Sequence, residues 1–94
     1  MLFLVNSRLC PGVTRAQVVE YFKSGVEQKT WELIKQGVIA HWYFKIGDPP
    51  GVLAVLNCES LEEARAVADQ APAVKRGFLA FEIEPVDHFP SFNG

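Results

Sequence analysis

The feature of this sequence that most limits its fold is the order of its apolar segments. Four short runs rich in β-branched and aromatic residues are typical of strands, and two stretches with apolar residues at helical spacing are typical of helices. The predicted strands span residues 2–7, 38–46, 52–57 and 78–86, and the predicted helices span 15–36 and 61–70. The order β-α-β-β-α-β is the split βαβ arrangement. It predicts a ferredoxin-like α+β fold, with two helices on one face of a four-stranded antiparallel sheet.

Each predicted helix begins with a sequence signal typical of a helix start. Thr14 precedes Gln17 by three residues, and Ser60 precedes Glu63 by the same distance. At this capping-box spacing, the two side chains bind backbone N–H groups that the first helical turn leaves free. A mostly apolar stripe at helical spacing follows the first signal, formed by Val18, Phe22, Val26, Thr30 and Leu33.

The predicted strands are apolar on both faces of the sheet. In the first strand, Leu2 and Leu4 point to one side, and Phe3 and Val5 point to the other. A face in contact with water would carry alternating polar residues instead. The chain has 94 residues, 49% of them hydrophobic, and its two helices can cover one face only. We therefore expect a homodimer packed sheet against sheet, with further assembly into a higher homo-oligomer left open.

The second predicted strand holds a histidine within an aromatic run, "IAHWYFKI". Strict alternation gives two faces. One carries Ile39, His41, Tyr43 and Lys45, and the other carries Ala40, Trp42, Phe44 and Ile46. Because the second set is apolar throughout, Trp42 and Phe44 are predicted to be buried in the core.

Charge and composition exclude several classes of function. The net charge is −2 and no basic block is present, so the sequence lacks the footprint of a nucleic-acid-binding protein. The apolar runs are shorter than the roughly 20 residues of a membrane span, and the first residues do not resemble a signal peptide. Cys10 and Cys58 have no metal-ligand spacing, which favours a reduced, cytoplasmic protein. We expect a single domain over residues 1–94, with a tail at 87–94, and no cofactor, because no phosphate loop or cofactor motif is present.

Several stretches of the chain together resemble a known family. They are "MLFLV" at 1–5, "KQG" at 35–37, "AHWYFKIG" at 40–47, "FEIEP" at 81–85 and "HFPS" at 88–91. With these stretches the chain resembles the muconolactone isomerase family of the dimeric α+β barrel superfamily. The resemblance implies a cofactor-free enzyme of aromatic compound catabolism, which isomerises a small conjugated lactone by a proton shift. In that family, a glutamate of the first helix removes the proton and returns it at another carbon. Counting back from Gly37 without a gap brings that position to Val26, and Glu27 is next to it.

The resemblance also implies a set of site residues. Glu27 would be the catalytic base, and His41, which aligns with a family histidine, would be a second catalytic residue. The candidate substrate-binding residues are Tyr43, Asn6, Trp42 and His88. The pocket is expected between the helices and the sheet of each protomer, closed in part by the tail of a neighbouring copy.

Each candidate also has an ordinary structural explanation. Glu27 has Lys23 four residues before it, as in a surface ion pair, and His41 could lie in a dimer interface with its hydrogen bonds satisfied. Three functions therefore stay open: the isomerase; a cofactor-free monooxygenase or decarboxylase of the same superfamily; and a non-catalytic small-molecule-binding or accessory protein that has lost the base. In each of them the partner is a small molecule.

Overall fold

The computed structural model describes residues 1–23 and 28–87, and within them it has the predicted order of strands and helices. The elements are β1 (Leu2–Leu9), α1 (Arg15–Lys23), α2 (Gln28–Lys35), β2 (Ile39–Lys45), β3 (Gly51–Asn57), α3 (Leu61–Asp69), α4 (Pro72–Lys75) and β4 (Leu79–Val86). The four strands form one antiparallel sheet in the order β2-β3-β1-β4. This order and direction confirm the ferredoxin-like α+β fold. None of the helices within the described residues is long and apolar enough to cross a membrane.

The capping box predicted at Thr14 is complete, whereas the one predicted at Ser60 is present in part, because the Glu63 carboxylate accepts from Glu59 and not from Ser60. The Gln17 N–H donates to Thr14 Oγ1 at 3.2 Å, and the Thr14 N–H donates back to Gln17 Oε1 at 2.8 Å. At α3, the Glu63 N–H donates to Ser60 Oγ at 3.1 Å, while Glu63 Oε2 accepts from the backbone of Glu59. The first helical stretch was predicted to run unbroken over 15–36. It is confirmed over α1 and α2, and its middle lies outside the described residues.

The core lies between the helices and one face of the sheet, which we call the inner face. Phe3 and Val5 of β1 are buried on this face, and Ala64 and Ala68 of α3 pack over the sheet. The opposite, outer face has no helix among the described elements. Its apolar residues are only half-buried: Leu2, Leu4, Leu53 and Val55. The prediction that both faces are apolar is therefore confirmed only in part, because His41 and Lys45 of β2 and Glu82 and Glu84 of β4 also project from the outer face.

Strand β2 departs from strict alternation near its start. Ile39 pairs with Leu56, whereas His41 pairs with Val55, so the pairing skips Ala40 as in a β-bulge. The extra residue moves Ile39 to the inner face, where it is buried beside Trp42 and Phe44. The prediction that Ile39 shares a face with His41 is wrong for this reason, and Ala40 is exposed.

The burial predicted for Trp42 and Phe44 is only partly correct. Both project from the inner face, but Trp42 is half-buried and Phe44 is 44% exposed. Strand β2 is one of the two edge strands of the sheet, so these rings have a neighbouring strand on one side only. Phe44 contacts Phe22 of α1, with ring centroids 4.9 Å apart, and Trp42, with centroids 5.4 Å apart.

At one end of the sheet, Gly51 lets two neighbours come close to the β3 backbone. A Cβ at this position would collide with Ser7 Oγ, which is buried and accepts the Val52 N–H at 2.8 Å. The same Cβ would stand 3.2 Å from Cε of Lys45. The Lys45 side chain thus passes Gly51 from β2 to β1, where Nζ donates to Asn6 Oδ1 and to the Ser7 carbonyl, each at 2.8 Å.

Candidate functional site

A cavity lies between the helices and the inner face of the sheet, where the pocket was expected. The space open to the centre of a water molecule measures about 100 Å³, which is room for several waters or one small ring. The sheet provides one wall, from Val5, Ile39, Trp42, Phe44, Val52, Ala54, Leu56 and Phe81. The helices and the α3–α4 connection provide the other, from Tyr21, Lys29, Thr30, Leu33, Val67, Ala68, Gln70, Ala71 and Pro72.

The walls of the cavity are mainly apolar and partly aromatic. Four aromatic side chains, Tyr21, Trp42, Phe44 and Phe81, are among the lining residues. Tyr21 is held in place by tilted contacts with Phe22 and Phe78, at centroid distances of 5.8 and 5.4 Å. An apolar cavity with a few polar groups is the usual form of a small-molecule site.

The polar atoms at the cavity come from a small number of residues. Lys29 and Gln70 are exposed, and Thr30 and Tyr21 are half-buried. Trp42 is different because its indole Nε1 is fully buried and has no hydrogen-bond partner among the described residues. An indole nitrogen is a donor only, and a buried donor in a folded protein normally has an acceptor.

His41, Tyr43 and Asn6 lie on the outer face, on the side of the sheet away from the cavity. The His41 and Tyr43 rings are stacked, with centroids 6.3 Å apart and planes 5° from parallel. Tyr43 is 57% exposed, and Asn6 accepts the hydrogen bond from Lys45 described above. The expectation that His41 and Tyr43 line the pocket between helices and sheet is therefore wrong, because alternation along β2 directs them away from Trp42 and Phe44. Of the four predicted substrate-binding residues, Trp42 lines the cavity.

Two predicted site residues, Glu27 and His88, lie outside the described residues. The described lining residues closest to Glu27 in sequence are Lys29 and Thr30, two and three positions later. Across residues 1–23 and 28–87, no three histidine, cysteine or carboxylate side chains come together in a way that could hold a metal ion.

Several lining residues were not anticipated as site residues. Thr30 and Leu33 belong to the helical stripe seen in the sequence, so their position over the sheet could have been inferred from it. Lys29, Gln70 and Pro72 gave no such signal, because their place depends on how the helix ends pack over the sheet.

Cys58 is buried and does not line the cavity. Burial, and to a smaller extent the negative charge of Glu63, raise the pKa of its thiol. The thiol therefore stays protonated and unreactive.

Comparison with known proteins supports the fold. No protein-family model matches the chain, and no curated protein is significantly similar to it. Among solved structures, the chain is similar to the 5-chloro-2-hydroxyhydroquinone dehydrochlorinase of Burkholderia phenoliruptrix AC1100 in complex with 2,5-dihydroxybenzoquinone. The likeness covers 95% of this chain and 96% of that chain, with a TM-score of 0.67 and 21% sequence identity. At this level of identity, the likeness shows a shared fold.

Proposed function

We propose that the chain is a cofactor-free enzyme that binds a small conjugated lactone or another aromatic-derived metabolite in the cavity between the helices and the sheet. The observation that carries this proposal is the cavity itself, which is mainly apolar, partly aromatic and partly open to solvent. The shared fold supports the proposal, because the dehydrochlorinase with that fold was solved with a quinone ligand.

The reaction that we favour is isomerisation by a proton shift. A base removes a proton from a carbon next to the conjugated system, and its conjugate acid then returns a proton at another carbon, so no cofactor is consumed. Glu27 is the proposed base, because it stands next to Val26, the position that the family resemblance assigns to the base, and because the lining residues Lys29 and Thr30 follow it in the chain. His41 and Tyr43 have no part in this proposal, since they lie on the other side of the sheet.

The outer face is the proposed contact with a second copy of the chain. A twofold axis along the strands, between β3 and β1, would bring β2 of each copy over β4 of the other. On the outer face, β2 carries His41 and Lys45, and β4 carries Glu82 and Glu84. The outer faces of β2 and β4 are therefore complementary in charge. The half-buried Leu2, Leu4, Leu53 and Val55, which lie between these two strands, would be covered by the second copy. His41 is then an interface residue.

Solvent deuterium exchange tests the proposed reaction. Muconolactone incubated with the protein in deuterium oxide should incorporate deuterium, as followed by proton NMR. Glu27→Gln should slow the exchange by about 10²–10⁴-fold, the usual contribution of an acid–base group. Glu32→Gln is the matched control, because Glu32 is an exposed glutamate of α2 and does not line the cavity. Equal exchange by both variants would exclude Glu27 as the base, and no exchange by the unmodified protein would exclude the isomerase.

A second candidate function is binding without catalysis. It is favoured by one observation, which is that the described lining residues include neither a carboxylate nor an imidazole. A protein of this kind would bind the lactone without exchanging its protons, so measuring binding beside exchange separates the two candidates.

A further inference from the structure

We propose that two alanines, Ala54 of β3 and Ala68 of α3, set the size of the ligand that the cavity accepts, so that it admits a compound with one ring and excludes a compound with two fused rings. This inference rests on the proposed function in that it takes the cavity as the ligand site. It assigns the residues that select the ligand by size, and it does not depend on which reaction follows.

Ala54 lies in the middle of the sheet wall of the cavity. The pairing of the strands puts it directly between Trp42 of β2 and Val5 of β1 on the inner face. Along β3, Val52 and Leu56 project from the same face, two residues before and two residues after Ala54. All four neighbours line the cavity together with Ala54, and each has a larger side chain. The sheet wall therefore has a depression at Ala54, with larger side chains on four sides of it.

Ala68 is the corresponding small residue of the helix wall. It lies one helical turn after Ala64, so the two methyl groups are on the same face of α3. Both residues are buried, Ala68 at 5% and Ala64 at 0% exposed, but Ala68 lines the cavity and Ala64 does not. A larger side chain at Ala68 would therefore extend into the cavity, whereas a larger side chain at Ala64 would meet packed core atoms.

The volume between these walls suits one ring. The cavity measures about 100 Å³, compared with roughly 150 Å³ for an engineered apolar cavity that binds benzene. A second, fused ring adds several carbon atoms to the ligand. Because protein interiors are close-packed, the walls can make room for these atoms only by moving core side chains. We therefore expect the cavity to reject fused rings.

The space beside the two alanines has a consequence for stability that needs no ligand. Extra carbon atoms in a packed core force side chains out of their preferred rotamers, whereas extra carbon atoms that fill a cavity do not. We expect Ala54→Val and Ala68→Leu to keep or raise the midpoint of urea denaturation. Ala64→Leu is the matched control, because it adds the same atoms to the same face of α3, and it should lower the midpoint.

Selection by size is tested with 2-pyranone and coumarin. Both compounds contain the same conjugated lactone, and coumarin has a second ring fused to it. Coumarin has more apolar surface, so it would bind more tightly to a site without a size limit. We expect the unmodified protein to bind 2-pyranone more tightly than coumarin by at least about tenfold, measured as the ratio of Kd values in an NMR titration.

The same titration shows whether the two alanines are responsible. Ala54→Val and Ala68→Leu should each weaken the binding of 2-pyranone by about 10–200-fold, the range for one methylene group too many in an apolar pocket. Ala66→Leu is the control for binding, because Ala66 is exposed on α3 and does not line the cavity. It should leave the Kd of 2-pyranone unchanged.

Four outcomes would overturn the inference. The first is that Ala54→Val and Ala68→Leu lower the denaturation midpoint as much as Ala64→Leu, which would mean that no space lies beside them. The others are that these variants bind 2-pyranone as well as the unmodified protein, that coumarin binds as tightly as 2-pyranone, or that 2-pyranone does not bind. A protein that exchanges deuterium into muconolactone but binds both lactones equally keeps the proposed function and lacks the size selection, so the two can fail separately.

Discussion

At the scale of single residues, Gly51 shows how the absence of a side chain supports a polar contact. A methyl group there would collide with Ser7 Oγ, the acceptor of the Val52 N–H, and would press on the Lys45 stem. We expect Gly51→Ala to lower the free energy of unfolding by about 1–3 kcal/mol, as overpacking of a buried site does. Gly47→Ala is the control, because a Cβ there meets nothing within 4 Å. Urea denaturation measures both, and equal stability of the two variants would contradict the close approach at Gly51.

A second prediction at this scale compares two phenylalanines of the sheet. Phe3 is 1% exposed and Phe44 is 44% exposed. Phe3→Ala should destabilise the protein by about 3–5 kcal/mol, the range for a buried phenylalanine, and Phe44→Ala by roughly half as much. The comparison is again made by urea denaturation. If Phe44→Ala costs as much as Phe3→Ala, another part of the assembled protein covers Phe44.

At the scale of secondary-structure elements, the start of α3 depends on one hydroxyl group. Ser60 Oγ accepts the Glu63 N–H, and α3 then lays Ala64 and Ala68 on the core. Ser60→Ala should destabilise the protein by about 1 kcal/mol, whereas Ser60→Asp should keep most of the stability because aspartate also caps helices well. Thermal unfolding of the two variants measures the difference. Similar losses in both would mean that the cap contributes little.

Sequence signals between neighbouring residues predicted the helices and strands well. The features that they did not predict depend on contacts between distant parts of the chain. The side-chain caps at Thr14 and Ser60 and the order of strands could be inferred because each depends on residues close together in sequence. The bulge at Ala40 could not, because it exists only in the pairing of β2 with β3. For the site, alternation predicted that Trp42 lies on the apolar side of β2, but the burial of its nitrogen without an acceptor depends on tertiary packing, which the local sequence does not show.

At the scale of the whole molecule, the outer face predicts self-association. Light scattering at micromolar concentration should give at least twice the 10.5 kDa of one chain. Leu53→Glu places a charge in the middle of the outer face and should shift the protein towards a monomer, since an unpaired charge is strongly disfavoured in an apolar interface. Ala66→Glu makes the same change in charge at an exposed position of α3 and should leave the mass unchanged. A monomeric unmodified protein would contradict the proposed interface.

Both edge strands of the sheet are irregular, at Ala40 in β2 and at Pro85 in β4, and this has a consequence for solubility. An uninterrupted edge strand offers a row of free N–H and C=O groups on which another chain can add a strand, which is how fibrils grow. Here β2, at one border, carries the bulge at Ala40, and β4, at the other, carries Pro85, which has no N–H to donate. Neither border is a regular template for strand addition, so the growth of a fibril from either edge of the sheet is disfavoured.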